Sequence, residues 1–492
     1  MSTLTLGRFS EAKKAILLDW IGRQVSINPM QKLLNHWNQF WFRPSSGRPE
    51  AFFRIAYTTV LLLDVLGMRT KLDFLFSNQG LSPHTLLDPL YSPIAVHALY
   101  WFWIVILVAL IFGFFTRAAA ACNFLLVVYF FGCRDGVCFH AADWVLHPMA
   151  FYLLWMTSNR HLSLDRWRHR SNPSSKTHPV WPVRLAQIHF ALMYFSSGLS
   201  KLADPGWMNG SALQNTLMNP FLSYFDFSWI PQGGPVLIWA NYAIIIWEIA
   251  FPFLLVWRRT RRWALVSAVI FHLGIASTIR TAWFGEYFLS FMLLFIDDVP
   301  LRTPRPSNAE QPVKNRWTPL INLFLCFHLA VFLGSQTRYP IPFVNFYARY
   351  AARIQFFNVW PSAFFLTPVR FLFLEAVHAD GSLVPLPPFN RKGEFAPGIK
   401  YVKEARGGFL MFRIAAKGLS EGEWKIYIKN LIQTYREEYG NECPREIRVS
   451  LIQTEPDGFG PHPKALRVPK RPILTAKVIC GKENPEVTIK FL

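Results

Sequence analysis

The chain has 492 residues, of which 52% are hydrophobic, 16% are aromatic and only 16% are charged. An ordinary soluble domain carries about 25% charged residues, so the composition argues against a soluble enzyme and favours an integral membrane protein. The formal net charge is +21. The basic residues lie in short clusters between apolar segments, where membrane topology accounts for them better than nucleic-acid binding does.

Apolar segments follow a basic, amphipathic N-terminal segment that covers residues 1–50. A transmembrane helix needs about 20 apolar residues, and about 17 suffice. We therefore predict a polytopic α-helical membrane domain over residues 51–336, with about nine transmembrane helices. The segments cover residues 51–67, 93–115, 118–131, 140–157, 183–203, 234–257, 263–278, 281–296 and 318–335.

The charges between these segments predict their orientation. Lys and Arg concentrate in the loops that lie inside if the N-terminus is cytoplasmic, such as Arg258–Arg262, while residues 204–233 contain none. This asymmetry satisfies the positive-inside rule. Nine crossings then place the chain after residue 336 on the outer face of what we expect to be a bacterial plasma membrane. Eight crossings, with the pair around Arg280 re-entrant or one segment miscounted, would place it in the cytosol.

Residues 337–492 are predicted to form a connecting stretch and a soluble α+β domain. A DG turn at Asp380–Gly381 separates two strands. Ser420, with Glu423 three residues on, is typical of a helix cap and predicts a helix over Glu421–Tyr439. The further predicted strands are Gly408–Ala415, Glu446–Gln453 and Ile473–Val478.

The segment Gln187–Gly210 is the strongest candidate for a functional site. On a helix, one stripe holds amide, phenol, hydroxyl, glycine and ammonium groups, because positions i, i+3, i+4 and i+7 align. In lipid, such a stripe must face protein or a cavity, and an ionisable group within it is a functional candidate. The alternative is that the lysine only snorkels at the helix end. The stripe consists of Gln187, Ala191, Tyr194, Ser197, Gly198 and Lys201.

Residues in this segment resemble the signature of the vitamin K-dependent γ-glutamyl carboxylases, which belong to the horizontally transferred transmembrane (HTTM) family. The similarity extends over most of the chain, including Phe53-Arg54-Ile55 in the first apolar segment and Phe271-His272 in the seventh. The matching positions are Tyr194–Phe195, Gly198, Lys201–Leu202, Trp207 and Gly210.

In the carboxylases the lysine that matches Lys201 is the catalytic base, so the resemblance implies this role for Lys201. Removal from water disfavours the charged form of an amine, which allows a buried lysine to accept a proton. In the carboxylases a histidine follows the asparagine that matches Asn159. Here Arg160 follows it, and His161 comes one residue later. Either His161 takes the family histidine's role, or the site performs different chemistry. The residues implied to bind the cofactor are Asn159, Arg160, Tyr194, Gly198 and His272.

The reaction implied by the resemblance uses reduced vitamin K or another quinol, with O2 and CO2 as co-substrates and no metal. A glutamate side chain of a peptide or protein substrate becomes γ-carboxyglutamate, while the quinol becomes its epoxide. The expected partners are this substrate and membrane lipid, with no nucleic acid. Two alternatives stay open: a non-carboxylating HTTM protein that binds a quinone or lipid or matures a secreted peptide, and a membrane scaffold.

Several ionisable residues are predicted to lie in the outer half of the membrane domain. One outward-opening polar pocket beneath the C-terminal domain would satisfy them together. The alternative is pairing among themselves that only fixes helix packing. In an oxidising compartment, Cys133 and Cys138 are candidates for a loop-closing disulfide. The alternatives are a pair of free thiols, a redox-active dithiol or a metal pair. The residues of the predicted pocket are Asp64, His140, Asp143, Lys201, His272 and Glu286.

Overall fold

A computed structural model describes most of the chain, and a sheet domain follows a mostly helical part. The described residues are 29–81, 88–132, 141–168, 178–218, 223–225, 227, 229–230, 234–279, 281, 283–296, 312–334, 342–354, 369–386, 419–438, 442–454, 471–480 and 485–492.

Each predicted apolar segment overlaps one helix of 9 to 22 residues, because a buried or lipid-facing backbone must satisfy its own hydrogen bonds. The helices are α1 Pro29–Phe42, α2 Arg48–Gly67, α3 Leu72–Phe76, α4 Pro93–Phe112, α5 Thr116–Val127, α6 Asp143–Trp155, α7 Leu164–Arg168, α8 Trp181–Leu202, α9 Pro205–Met208, α10 Ser211–Met218, α11 Pro235–Val256, α12 Arg258–Thr278, α13 Phe284–Met292, α14 Thr318–Gly334, α15 Pro342–Phe346 and α16 Glu421–Glu438.

Two of the described helices, α4 and α11, are long and apolar enough to cross a membrane by length and composition. The prediction of nine crossings is therefore not confirmed. Both helices turn large apolar side chains outward, since Ile94 is 84% exposed and Val236 is 73% exposed. Extended exposed apolar surface is unfavourable in water and suits contact with lipid.

The start of α2 and the start of α8 are joined at one end of the helical bundle. Strands β1 (Pro44–Ser45) and β2 (His178–Pro179), which immediately precede these helices, pair in antiparallel fashion. Further along both helices, Asp64 accepts a hydrogen bond from Tyr287 of α13, and Tyr194 packs on Phe288 of α13. The two helices therefore also end on the same side of the bundle.

A tight turn between α4 and α5 depends on a glycine and an aspartate. Gly113 has φ +65°, and a Cβ there would lie 2.4 Å from Cβ of Ser163. The carboxylate of Asp165 then accepts hydrogen bonds from the backbone N–H of Phe115 and of Thr116, both at 2.8 Å. Asp165 therefore caps the start of α5.

The C-terminal domain contains a five-stranded antiparallel sheet. The DG hairpin is confirmed, and so is the cap of α16, in which the backbone N–H of Ser420 donates to Glu423 Oε2 at 2.7 Å. The predicted strand Gly408–Ala415 lies outside the described residues. The strands are β3 Val369–Val377, β4 Leu383–Pro385, β5 Glu446–Thr454, β6 Arg471–Cys480 and β7 Pro485–Phe491. Their order across the sheet is β4-β3-β5-β6-β7.

The C-terminal domain contacts the bundle at the end where α2 and α8 finish. The ring of Tyr427 on α16 packs against Phe74 of α3, with ring centroids 6.0 Å apart. Helix α3 directly follows the end of α2. The sheet domain and the C-terminal ends of α2 and α8 therefore lie on one side of the protein.

Replacement of Asp165 by Ala is expected to lower the free energy of unfolding by about 1 kcal/mol, as for other lost helix caps. Asp165→Asn keeps an acceptor and is expected to lose less. Chemical unfolding in detergent at neutral pH measures both, and equal stability of Asp165→Ala and the wild type would contradict the cap.

The same cap predicts a pH dependence. Partial burial tends to raise the pKa of Asp165, but hydrogen bonds from Thr116 and Phe115 outweigh burial and hold the pKa below its usual value of 3.8. Because the pKa of Asp165 is lower in the folded state, its carboxylate stabilises the folded protein above pH 3.8. This contribution to the free energy of unfolding is lost as the pH falls further. The stability difference between wild type and Asp165→Ala is therefore expected to shrink below that pH.

Candidate functional site

Lys201 lies in the last turn of α8, where its side chain is 3% exposed. Its Nζ donates to Ser197 Oγ at 2.6 Å and to Glu248 Oε1 and Oε2 at 3.0 and 2.8 Å. An ammonium group has three N–H donors, so these contacts satisfy all of them. Lys201 does not snorkel to a surface; it forms a buried ion pair between α8 and α11.

Trp207 covers the ammonium from the segment that follows α8. Nζ lies 5.1 Å from the centroid of the Trp207 ring. Asp204 begins the short helix that carries this ring, accepting the backbone N–H of Gly206 at 2.9 Å. A cation over an aromatic face gains about 2 kcal/mol where both are desolvated. The signature residue Trp207 thus contributes to holding Lys201.

Gly198 allows the close approach of α8 and α11 that brings Glu248 to Lys201. A Cβ on Gly198 would lie 2.7 Å from Ile249 Cγ1, 3.0 Å from Ile249 N and 3.1 Å from Glu248 Cβ. The predicted cofactor-binding residue Gly198 thus packs against α11. A direct contact between Gly198 and a cofactor stays a prediction from the resemblance.

Tyr194 and His272 form a second buried contact in the same region. The hydroxyl of Tyr194 lies 2.5 Å from Nε2 of His272, and the imidazole stacks on Phe288 with centroids 4.4 Å apart. Nδ1 of His272 is buried and has no hydrogen-bond partner within the described part of the chain. A buried polar atom without a partner is unfavourable by about 1–3 kcal/mol, so a bound polar group would stabilise it.

A cavity of about 280 Å³ joins these groups. Small-molecule sites typically have volumes of roughly 300–1,000 Å³ and mostly apolar walls with a few polar groups. This cavity has that composition. The wall residues come from α8 to α13: Tyr194, Ser197, Lys201, Trp207, Leu213, Thr216, Leu217, Ile244, Glu248, Ile270, Phe271, His272, Gly274, Ile275, Thr278, Ile279, Phe284 and Phe288.

The structure does not bring Asn159, Arg160 or His161 to this cavity. The first two lie in a 3-10 turn, Ser158–Arg160, whose Ser158 carbonyl accepts a hydrogen bond from Arg54 near the start of α2. The start of α8 is at the same end, and the 22 residues of α8 span about 33 Å. Lys201 is at the opposite end of that helix.

His161 makes structural contacts where it lies. Its Nε2 is 2.8 Å from the carbonyl oxygen of Ser46, and its Nδ1 is 2.9 Å from Arg166 Nη1. Because the guanidinium donates to Nδ1, Nε2 carries the proton and donates to Ser46. Both ring nitrogens are occupied by protein contacts. The geometry gives His161 no direct access to Lys201.

The predicted outer polar pocket forms only in part. Lys201 and His272 line the cavity, whereas Asp64 Oδ2 accepts a hydrogen bond from Tyr287 at 3.1 Å. Asp143 is 1% exposed, and His140 lies outside the described residues. Among the described wall residues, none comes from the C-terminal domain. Sequence reasoning left Glu248 out of the site, although an ionisable residue inside an apolar segment is a functional candidate.

Two helices that are long and apolar enough to cross a membrane, together with a buried ion pair beside an apolar cavity, are typical of a membrane-associated helical protein with an internal polar site. A family model described as the HTTM domain matches residues 42–298, more than half of the chain. The chain therefore belongs to the HTTM family, which is membrane-associated. No curated protein and no solved structure shows a significant match.

The close contact at Gly198 gives a mutational test of the site. Gly198→Ala is expected to destabilise the protein by about 1–3 kcal/mol, since overpacked interfaces must shift backbone. Gly274→Ala is the matched control, because a Cβ at Gly274 meets nothing within 4 Å. Thermal unfolding in detergent compares the two, and equal melting temperatures would show that the helices can separate freely at Gly198.

Proposed function

We propose that the protein is a membrane enzyme of the vitamin K-dependent γ-carboxylase type, with Lys201 as the base. The observation that carries the proposal is the buried Lys201 amine on the wall of an apolar cavity. The HTTM domain occurs in vitamin K-dependent carboxylase-like proteins. A base in such a site is shielded from water, which would otherwise consume a reactive intermediate.

The residues of the cavity fit a reduced quinone. The wall is mostly aliphatic and aromatic, which suits a fused aromatic ring, and Phe284 and Phe288 supply ring faces. Nδ1 of His272 offers a buried polar atom that lacks a partner among the described residues. Tyr194 fixes the orientation of that imidazole through its hydroxyl. A quinol hydroxyl is the type of group that would complete this arrangement.

The protein's own groups then have distinct roles. Lys201 Nζ accepts a proton from a bound hydroxyl, His272 and Tyr194 orient the ring, and Trp207 excludes water from the amine. When bound, a reduced quinone would supply, together with O2, the strong base that carboxylation of a glutamate side chain by CO2 requires. The substrate class is a peptide or protein with accessible Glu side chains.

The proposed location is a bacterial plasma membrane, with Lys201 and the C-terminal domain on the outer side. Two features support this orientation. Basic residues concentrate in the loops expected inside, and Cys443 of the C-terminal domain is disulfide-bonded. Disulfides persist in oxidising compartments and are rare in the cytosol.

The direct test uses purified protein in detergent with vitamin K hydroquinone, bicarbonate, O2 and a Glu-containing peptide. The expected result is a peptide heavier by the mass of one carbon dioxide, together with quinone epoxide. If folded wild-type protein gives neither product, the proposal is wrong.

A second candidate is a family member that binds a quinone or lipid without carboxylation. The favouring observation is the distance of Asn159 and His161 from Lys201, since the resemblance assigns them to the same site. This candidate predicts saturable binding of vitamin K hydroquinone with no carbon dioxide in any tested peptide. Epoxide formation coupled to carboxylation would contradict it.

Lys201→Arg is the sharpest variant for the proposed base. Arginine keeps a positive charge for Glu248 but cannot be deprotonated in a protein. The expected result is a loss of about 10²-fold or more in epoxide formation, with little change in melting temperature. Lys201→Ala is less informative, because an unpaired buried Glu248 destabilises the protein by about 3–5 kcal/mol. Full activity of Lys201→Arg would exclude the base role.

Gly274 tests whether the cavity holds the ligand. It lines the cavity, and open space lies where its Cβ would be. Gly274→Phe should fill part of the cavity and weaken binding of vitamin K hydroquinone by about tenfold or more, measured by equilibrium binding under anaerobic conditions. Gly274→Ala adds one methyl group and is the control. An unchanged Kd for Gly274→Phe would show that the ligand binds elsewhere.

A further inference from the structure

In an ion pair with the Glu248 carboxylate, Lys201 is an ammonium ion, which has no lone pair to accept a proton. Its Nζ makes three hydrogen bonds, to Ser197 Oγ and to both carboxylate oxygens of Glu248. That is the full donor set of an ammonium group. The role assigned to Lys201 under the proposed function therefore requires that one proton first leave Nζ for a nearby acceptor.

Three groups contact the ammonium, and only one of them can hold its proton. The hydroxyl of Ser197 is not basic, and the ring of Trp207 offers a π face with no basic atom. His272 also lines the cavity, but its Nε2 is hydrogen-bonded to Tyr194, and the hydrogen bonds of Lys201 Nζ go to Ser197 and Glu248. The carboxylate of Glu248 is basic and lies 2.8 Å from Nζ.

We infer that Glu248 takes the proton from Lys201 and so converts Lys201 into the base. This inference rests on the proposed function and names a further residue of the same site. An N–H bond of Lys201 breaks, an O–H bond forms at Oε2 of Glu248, and the electron pair stays on Nζ. The free amine then takes one proton from a bound hydroxyl and becomes an ammonium beside the new anion, while Glu248 keeps the first proton.

Burial lowers the free-energy cost of this transfer when the cavity is dry. Lys201 and Glu248 are 3% and 6% exposed. The transfer converts two buried charges into two neutral groups. Removal from water costs an ionised group far more free energy than a neutral one. A ligand that fills the cavity displaces water and shifts the pair toward the neutral form. Glu248 is thus a positioning residue that acts through Lys201.

Infrared spectroscopy and turnover test the inference together. In wild-type protein with the cavity filled by menadione, we expect the C=O stretching band of a protonated carboxylic acid. Glu248→Gln should lack this band, whereas Glu50→Gln, which alters a buried carboxylate bonded to Ser45 in the preceding segment, should keep it. Glu248→Gln should also lose about 10²-fold or more in epoxide formation with vitamin K hydroquinone.

Two further variants separate proton acceptance from simple placement of Lys201. Ser197→Ala removes a hydrogen bond to Nζ without removing the proton acceptor, so we expect at most about a tenfold loss. Glu248→Asp keeps a carboxyl group and should recover part of the activity that Glu248→Gln loses. It also keeps the test decisive if Glu248→Gln fails to fold.

Turnover of Glu248→Gln within threefold of the wild type, or similar losses for Ser197→Ala and Glu248→Gln, would overturn the inference. So would an active wild type that lacks the band with menadione. A folded wild type that turns over no substrate would contradict the proposed function, while the infrared comparison would still decide whether Glu248 accepts the proton.

Discussion

The Lys201 end of the bundle depends on removing an ammonium and a carboxylate from water together. Burial of either ion alone would destabilise the fold by several kcal/mol, so neither charge is tolerated without the other. Two oxygens of Glu248, the hydroxyl of Ser197 and the ring of Trp207 replace the lost water around Nζ. The close packing at Gly198 follows from this requirement, because a wider helix separation would break the pair.

At the opposite end of the bundle, polar groups bind the backbone. There, the paired strands β1 and β2, the Arg54 guanidinium and the Asp165 carboxylate bind backbone groups that helix starts and turns leave unsatisfied. His161 belongs to this network through Ser46 and Arg166. One end therefore holds chain segments in place, while the other end leaves space beside reactive side chains.

The C-terminal domain contacts the Lys201 end of the bundle. Its helix α16 touches α3 through Tyr427 and Phe74, just beyond the end of α2. The cavity wall, in contrast, is built from α8 to α13 in the described part of the chain. The described wall of the cavity therefore lies within the HTTM region. The sheet domain lies at the same end of the bundle as this cavity.

Sequence alone determined the local structure and the family. Apolar segments located helices, two of which are long and apolar enough to cross a membrane. The Ser420 cap and the DG turn located elements of the sheet domain, and the Tyr194–Gly210 signature led to the HTTM family. Strand β7 was missed although Val487, Ile489 and Phe491 alternate. Tertiary structure decided that Glu248 pairs with Lys201 and that His161 lies at the other end of α8. These contacts join residues 47 and 115 positions apart in the chain, and helical periodicity carries no information on which helices become neighbours.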